Sequence, residues 1–369
     1  MLRREGVRKS PHNIDEAELQ QSLEFAPLAY ISIWGKAIRC EILEFLVSRE
    51  GCSVLNMMSS VALLEARHED IQGGIVRFLE DSRLSCERDS EGREWLAIRG
   101  HSANVMPMRA RSRSWTNNRA ANAGFHEETA TLVTSYLLGR LRPRAFFDVG
   151  AWQGYFSLLA ASHLQARTAV HAFEMRPHGV DALNDRLHGI DLPGRVHVRL
   201  AGLSDQHVGN TRVWYARMKM FEREPEPREY QESVWRRLKF FVKGNKERAL
   251  RSVDLMVTSL DRYCDDHGVA PDLMKIDVDG YEGKVLRGAR NLLRNAPPTI
   301  LLELHKDEVQ RDGILRADVV KMLFDAGYSA LFLTDHQSRE QCEVVSVRPG
   351  DPLLARQQTD MIVFVPPAR

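Results

Sequence analysis

From Phe125 onward the chain alternates continuous apolar runs with amphipathic stretches. The runs are Ala145-Phe146-Phe147-Asp148-Val149, Ala169-Val170-His171-Ala172-Phe173, Val196-His197-Val198-Arg199-Leu200, Leu273-Met274-Lys275-Ile276-Asp277, Thr299-Ile300-Leu301-Leu302-Glu303-Leu304, Ser329-Ala330-Leu331-Phe332-Leu333 and Met361-Ile362-Val363-Phe364-Val365. Short apolar runs without alternation predict strands buried on both faces. Helical stretches between them, beginning with Glu127 to Leu141, predict an α/β fold with a mostly parallel seven-stranded sheet. Ligands in such sheets bind beyond the carboxyl ends of the strands.

The first hundred residues carry a different pattern. Ile38, Ile42, Phe45 and Leu46 fall on one face of a helix, Val54 to Leu64 forms a second, and Glu69 to Leu84 forms a third with Ile71, Ile75, Phe78 and Leu79 inward. Leu84 to Arg88 and Glu94 to Ile98 then flank a hairpin turn centred on Glu91-Gly92. Three helices and a hairpin resemble a winged-helix domain. The expected organisation is a winged-helix-like α+β domain over 1–105, an Arg- and Asn-rich linker over 106–124, and the α/β domain over 125–369.

Composition narrows the partners. The 369 residues are 43% hydrophobic and 27% charged with a net charge of +1, which is globular and exerts no overall pull on nucleic acid or membrane. Glu69, Asp70, Glu80 and Asp81 make the third helix acidic, whereas a DNA reader needs cations for the phosphates. Dimerisation or capping of substrate is the role expected of the N-terminal module. Five scattered cysteines without a C-x-x-C pair fit a reducing cytoplasm. No apolar run approaches the about 20 residues of a spanning helix, so a cytoplasmic, soluble protein is expected.

The chemistry concentrates at strand ends. Asp148-Val149-Gly150-Ala151-Trp152-Gln153-Gly154 joins a strand to a helix starting at Tyr155. Its glycines are spaced G-x-x-x-G, which is neither the dinucleotide pattern nor a phosphate loop. Asp148 would repel a phosphate and suits the amino group of S-adenosylmethionine. Glu174 ends the next strand, where a carboxylate accepts from ribose hydroxyls. Ser204 and Asp205 follow the third strand, where they either reach the adenine or make a turn. These residues, with Gly150, Ala151, Gly154, Tyr155 and Asp277, form the expected cofactor set.

The run Met274-Lys275-Ile276-Asp277-Val278-Asp279-Gly280-Tyr281-Glu282-Gly283-Lys284-Val285-Leu286-Arg287-Gly288-Ala289 closely resembles the K-I-D-V-E-G-x-E-x-x-V-L-x-G-A signature of the FkbM family of methyltransferases. The D-V-G-A-x-x-G loop, the strand ending at Glu174, the Leu203-Ser204-Asp205 turn and Leu302-Glu303-Leu304-His305 match that family in order. The resemblance spans about Phe125 to Pro366. It implies a class I, Rossmann-like methyltransferase that O-methylates a hydroxyl of a small metabolite, sugar or glycan. Asp279 departs from the family's usual Glu, and Trp152-Gln153 from its usual loop pair.

The catalytic residues expected on this basis are Asp277, as base or substrate orienter, then His305, whose imidazole titrates near neutral pH, with Glu303 orienting His305 or a nearby cation. Lys275 and Glu282 are read as a structural pair. A divalent metal held by Asp277, Asp279, Glu303 and His305 is weighed and not favoured, because alternate strand residues point to opposite faces. A basic, aromatic insertion over 216–253 is best read as a solvated surface segment. It keeps open methylation of RNA or protein, and the winged-helix module keeps open a cofactor-sensing regulator.

Overall fold

The computed structural model describes residues 68–88, 90, 94–100, 108–111, 125, 127–163, 168–188, 190–216, 219–226, 250–310 and 313–367. The helices expected over 37–47 and 54–64, most of the 106–124 segment and 227–249 of the insertion lie outside these residues. Residues 64–369 make one compact unit. No helix among the described residues is long and apolar enough to cross a membrane.

Helix α1 covers 68–81 of the described residues, and Ile71, Ile75 and Leu79 are buried along it as the spacing predicts. Strands β1 (Arg83–Arg88) and β2 (Glu94–Arg99) form an antiparallel hairpin, and β3 (Met108–Arg111) completes a three-stranded sheet. This sheet and α1 share an apolar core with α2 (Glu128–Leu141) and α3 (Tyr155–Ser162). Asp70 of α1 also pairs with Arg140 of α2 at 2.8 Å, an exposed contact that adds little.

The main sheet contains β4 (Ala145–Val149), β5 (Ala169–Glu174), β6 (Arg195–Leu203), β7 (Gly209–Ala216), β8 (Lys219–Phe221), β9 (Arg251–Thr258), β10 (Leu273–Ile276), β11 (Thr299–Leu304), β12 (Ser329–Leu333), β13 (Val344–Val347) and β14 (Asp360–Val365). Its order is β13-β12-β14-β11-β10-β4-β5-β6-β9-β7-β8. The run from β11 to β9 is parallel, while β14 lies antiparallel between β11 and β12. All seven expected strands are present, in the class I order. Seven was nevertheless too few: among the described residues the sheet has eleven strands. The added β7 and β9 are half-exposed and alternate in burial, so they lack the continuous apolar runs on which the count of seven rested.

Helices cover both faces. Phe146 points into the cluster with α2 and α3, and its neighbour Phe147 into the opposite cluster with α5 (Leu260–His267), α6 (Glu282–Arg287), α7 (Arg290–Asn295) and α8 (Arg316–Asp325). Burying each such ring contributes about 1.5–3 kcal/mol. Helix α4 (Pro177–Leu187) follows β5, its start set by Pro177 in the first turn. The carboxyl ends of β4, β5, β6 and β10 consequently meet at one edge. The chain runs outward from β4 to β5 and β6 on one side, and β10 lies on the other, which is a topological switch point.

Candidate functional site

The site is built from the loop after β4. Gly150 turns at φ +87°, and a Cβ there would collide with the carbonyl oxygen of Asp277. Only glycine lets β4 and β10 close up at this point. The N–H groups of Gly150 and Ala151 donate to the Phe173 carbonyl at 3.0 and 2.9 Å, and Asp277 N–H donates to Val149 at 2.9 Å. The loop is therefore pinned to β5 while β10 is pinned to β4.

Glu174, at the end of β5, completes the clamp. Its Oε2 accepts from the Trp152 N–H at 2.8 Å, and its Oε1 accepts from Arg176 N–H and Nε–H at 2.8 and 2.9 Å. A carboxylate offers about four acceptor positions. Three are taken, and the one that remains is on Oε2. The Arg176 guanidinium lies 4.3 Å above the Trp152 ring and 4.0 Å from Asp279. Trp152 itself holds φ +48°, a strained value for a bulky residue.

A cavity of about 450 Å³ opens along this edge, within the usual size range of ligand pockets. Gly150, Glu174, Ser204, Asp205 and Asp277 line it. Its far wall comes from Thr211 and Val213 of β7 and Phe221 of β8. Ser204 donates from Oγ to Asp205 at 3.2 Å, and its N–H donates to the Thr258 carbonyl at 2.8 Å. The remaining expected cofactor residues stand behind the wall. Ala151 and Gly154 shape the turn. The Tyr155 hydroxyl bonds to Thr131 at 2.8 Å, and Asp148 is fully buried and accepts from Ser157 at 2.5 Å. Burial, offset in part by Lys275 and Ser157, pushes the Asp148 carboxyl up to about 6.

Beyond β10 and β11 the titratable groups gather. Lys275 is buried and donates to Asp277 at 2.8 Å. Burial alone would raise the Asp277 carboxyl, but Lys275 and His305 draw it down to about 2. Burial and the neighbouring Asp277 push Glu303 well above the carboxylate range. Burial opposes the charge on Lys275, and Asp277, Glu127, Glu303 and Asp148 more than offset it. The expected Lys275–Glu282 pair is not formed. Lys275 and Asp277, two apart, share a face, and Glu282 instead binds His305.

His305 Nδ1–H donates to Glu282 Oε1 at 2.7 Å, so Glu282, rather than Glu303, orients the ring. His305 Nε2 stands 3.7 Å from Asp279 Oδ1. Burial alone would lower the imidazole; Glu282, Asp277 and Asp279 raise it above its ordinary value. The objection that these groups point apart also fails. Glu303 and His305 are two residues apart and share a face, and ligand atoms of Asp277, Glu303 and His305 lie within 4.8 Å of one another. A divalent ion could bridge that spacing, but the buried ammonium of Lys275 already balances this charge. The donor set therefore fits a lysine-neutralised carboxylate cluster.

Sequence reading passed over several residues at the site. Arg176, two residues past Glu174, was given no role. Lys284, 5.8 Å from the Tyr281 ring, lines the cavity with Tyr281, Glu222 and the β7–β8 wall. The alternation in Gly209–Ala216 was the available signal for that wall.

Residues 148–330 match the family model of the methyltransferase FkbM domain. Among solved structures the chain is similar to the methyltransferase FkbM from Methylobacillus flagellatus KT, at 12% identity over 64% of this chain and 55% of that one, with a TM-score of 0.35. It is also similar to a SAM-dependent O-methyltransferase from Thermotoga maritima, at 11% identity over 77% and 78% with a TM-score of 0.33. A third is the precorrin-6y C5,15-methyltransferase from Geobacter metallireducens GS-15, at 14% identity over 63% and 87% with a TM-score of 0.31. The chain spans about 55% of the length of the first of these. No curated protein matches it.

Proposed function

We propose, from the match of residues 148–330 to the methyltransferase FkbM domain, that the protein uses S-adenosylmethionine to O-methylate a hydroxyl on a small metabolite, sugar or glycan. The observation that carries this reading is the cavity at the switch point, lined in order by Gly150, Glu174, Ser204–Asp205 and Asp277. Glu174 suits the ribose, Ser204 and Asp205 the adenine, and the Gly150 turn the methionine portion. Asp148 and Lys275 act from behind the wall, holding the charge balance of the loop. The cofactor, when bound, supplies an activated methyl group.

The cavity wall supports a neutral acceptor. Among the described residues, Glu174, Asp205, Glu222, Asp277 and Asp279 line it with Arg176 and Lys284, and Lys275 and Arg287 stand against Asp277 and Asp205, so the wall offers an anionic acceptor no surplus of positive charge. Asp277 orients the acceptor, His305 handles its proton, and Glu303 shares the charge of Lys275. A cytoplasmic setting and a homodimer through the N-terminal segment belong to the same reading. Calorimetry tests its first step. The protein should bind S-adenosylmethionine, and Asp148→Ala and Glu174→Ala should each weaken binding. Absence of binding, or binding unchanged in both variants, overturns the site.

A further inference from the structure

The geometry points to Asp279, two residues past the motif aspartate, as the group that takes the acceptor's proton, with His305 and Glu282 behind it as a proton store. This rests on the methyl-transfer reading above and names the proton path within it.

Three observations carry the inference. First, Asp277 is committed elsewhere. Its Oδ2 accepts from the buried Lys275 at 2.8 Å, and that partnership makes it a weak proton acceptor. Second, Asp279 lines the same cavity and is less encumbered, with its side chain 35% exposed and the Arg176 guanidinium no nearer than 4.0 Å. Burial and the adjacent Asp277 raise its carboxyl, which makes it the better base. Third, Asp279 holds φ +51° immediately before Gly280 at φ +96°. A non-glycine residue keeps such a conformation only where its surroundings enforce it, and such positions concentrate at functional sites. Here Gly280 N–H donates to Glu282 Oε1 at 3.1 Å, the same oxygen that receives His305 Nδ1–H. One carboxylate thus fixes both the Asp279 turn and the imidazole that faces it.

The step balances as follows. A lone pair on the acceptor oxygen forms the new O–CH3 bond as the CH3–S bond breaks, and that bond's electron pair remains on sulfur. The hydroxyl proton passes to Asp279 and from there to His305 Nε2. The resulting imidazolium sits between Glu282 and Asp279. The 3.7 Å gap between His305 and Asp279 exceeds a hydrogen bond, and catalytic contacts of this kind commonly tighten only when substrate binds.

The charged groups that set the pH response are few. His305 is faced by Glu282, Asp277 and Asp279, and Asp279 by Asp277, Arg176, His305 and Glu282. Transfer needs His305 unprotonated, so the rate falls as pH drops through the imidazole pKa. Removing the Glu282 charge lowers that pKa and moves the acidic limb to lower pH.

The test uses the full chain, tritiated S-adenosylmethionine and the hydroxylated fraction of a cell extract as acceptor, with cofactor affinity measured in parallel by calorimetry. Asp279→Asn should slow transfer by about 100-fold or more while leaving cofactor affinity within about threefold. Asp279→Glu should recover the rate to within about tenfold of the wild type. Glu282→Gln should move the acidic limb downward in pH; if that variant does not fold, His305→Gln should abolish the limb. An Asp279→Asn protein that transfers within about threefold of wild type, or an acidic limb unmoved by these changes, overturns the relay alone. A wild type that binds the cofactor and labels nothing overturns the transfer reading, and the relay falls with it.

Discussion

The backbone N–H of Trp152 donates to Glu174 Oε2 at 2.8 Å, so the end of β5 holds the loop after β4 in its strained turn. Charge-assisted bonds of this kind contribute about 1.5–3 kcal/mol each. Glu174→Gln should therefore weaken S-adenosylmethionine binding by about 10- to 100-fold. Arg176→Met removes a donor from Oε1 and should leave affinity within about threefold. Calorimetry on both variants checks the pair, and a larger loss in Arg176→Met would reverse the assignment.

Lys275 should matter for stability before it matters for catalysis. It is buried and faces Asp277, with Glu303, Glu127 and Asp148 also acting on it. Lys275→Met leaves the carboxylates without a cation, and breaking a buried pair costs about 3–5 kcal/mol. Urea unfolding should show that loss with an unchanged m-value.

Asp148 gives a pH signature of the opposite kind. Burial pushes its folded-state carboxyl up to about 6, above the ordinary 3.8 of an aspartate, so the folded protein binds this proton more tightly than the unfolded chain. The contribution is present below about 3.8 and is lost as pH rises toward 6. Near pH 7 the ionised group costs about 3 kcal/mol. Asp148→Asn should raise the melting temperature at neutral pH, flatten its slope between pH 4 and 6, and weaken cofactor binding. Thermal melts across that range check it.

Gly150 admits no side chain. Gly150→Ala would press a Cβ into the Asp277 carbonyl at a φ of +87°. A loss of about 2 kcal/mol or more is expected, together with loss of cofactor binding, measured by melting and calorimetry.

A chelator should leave methyl transfer unchanged, because Lys275 already supplies the positive charge between Asp277 and Glu303. Rates measured after dialysis against EDTA, with and without added magnesium, check this. A rate restored only by metal would instead assign the Asp277, Glu303 and His305 group to an ion.

The core strands and the switch-point loop were legible because their signals are local. Phe146 and Phe147 announce a strand buried on both sides, and Gly150 and Glu174 sit at strand ends that a pattern can locate. What escaped depends on facing. Strand spacing separates Glu303 from His305 by one residue, and only pairing shows that Asp277 of the neighbouring strand joins them. Glu282 sits on the helix after β10, and no sequence interval announces that it meets His305, 23 positions on. Strands β7 and β9 were missed because their residues alternate in burial, where a search for continuous apolar runs finds nothing.

β4 and β10 are adjacent, in register from Phe146 opposite Leu273 to Val149 opposite Ile276, although more than a hundred residues separate them in the chain. The intervening segment leaves and returns at one seam, where Gly150 meets the Asp277 carbonyl. That makes the segment modular. A change in length between β8 and β9 falls inside a closed excursion, away from the β10 and β11 groups on the far side of the seam. The residues of the excursion can then vary while Asp277, Asp279, Glu282 and His305 stay where the seam holds them.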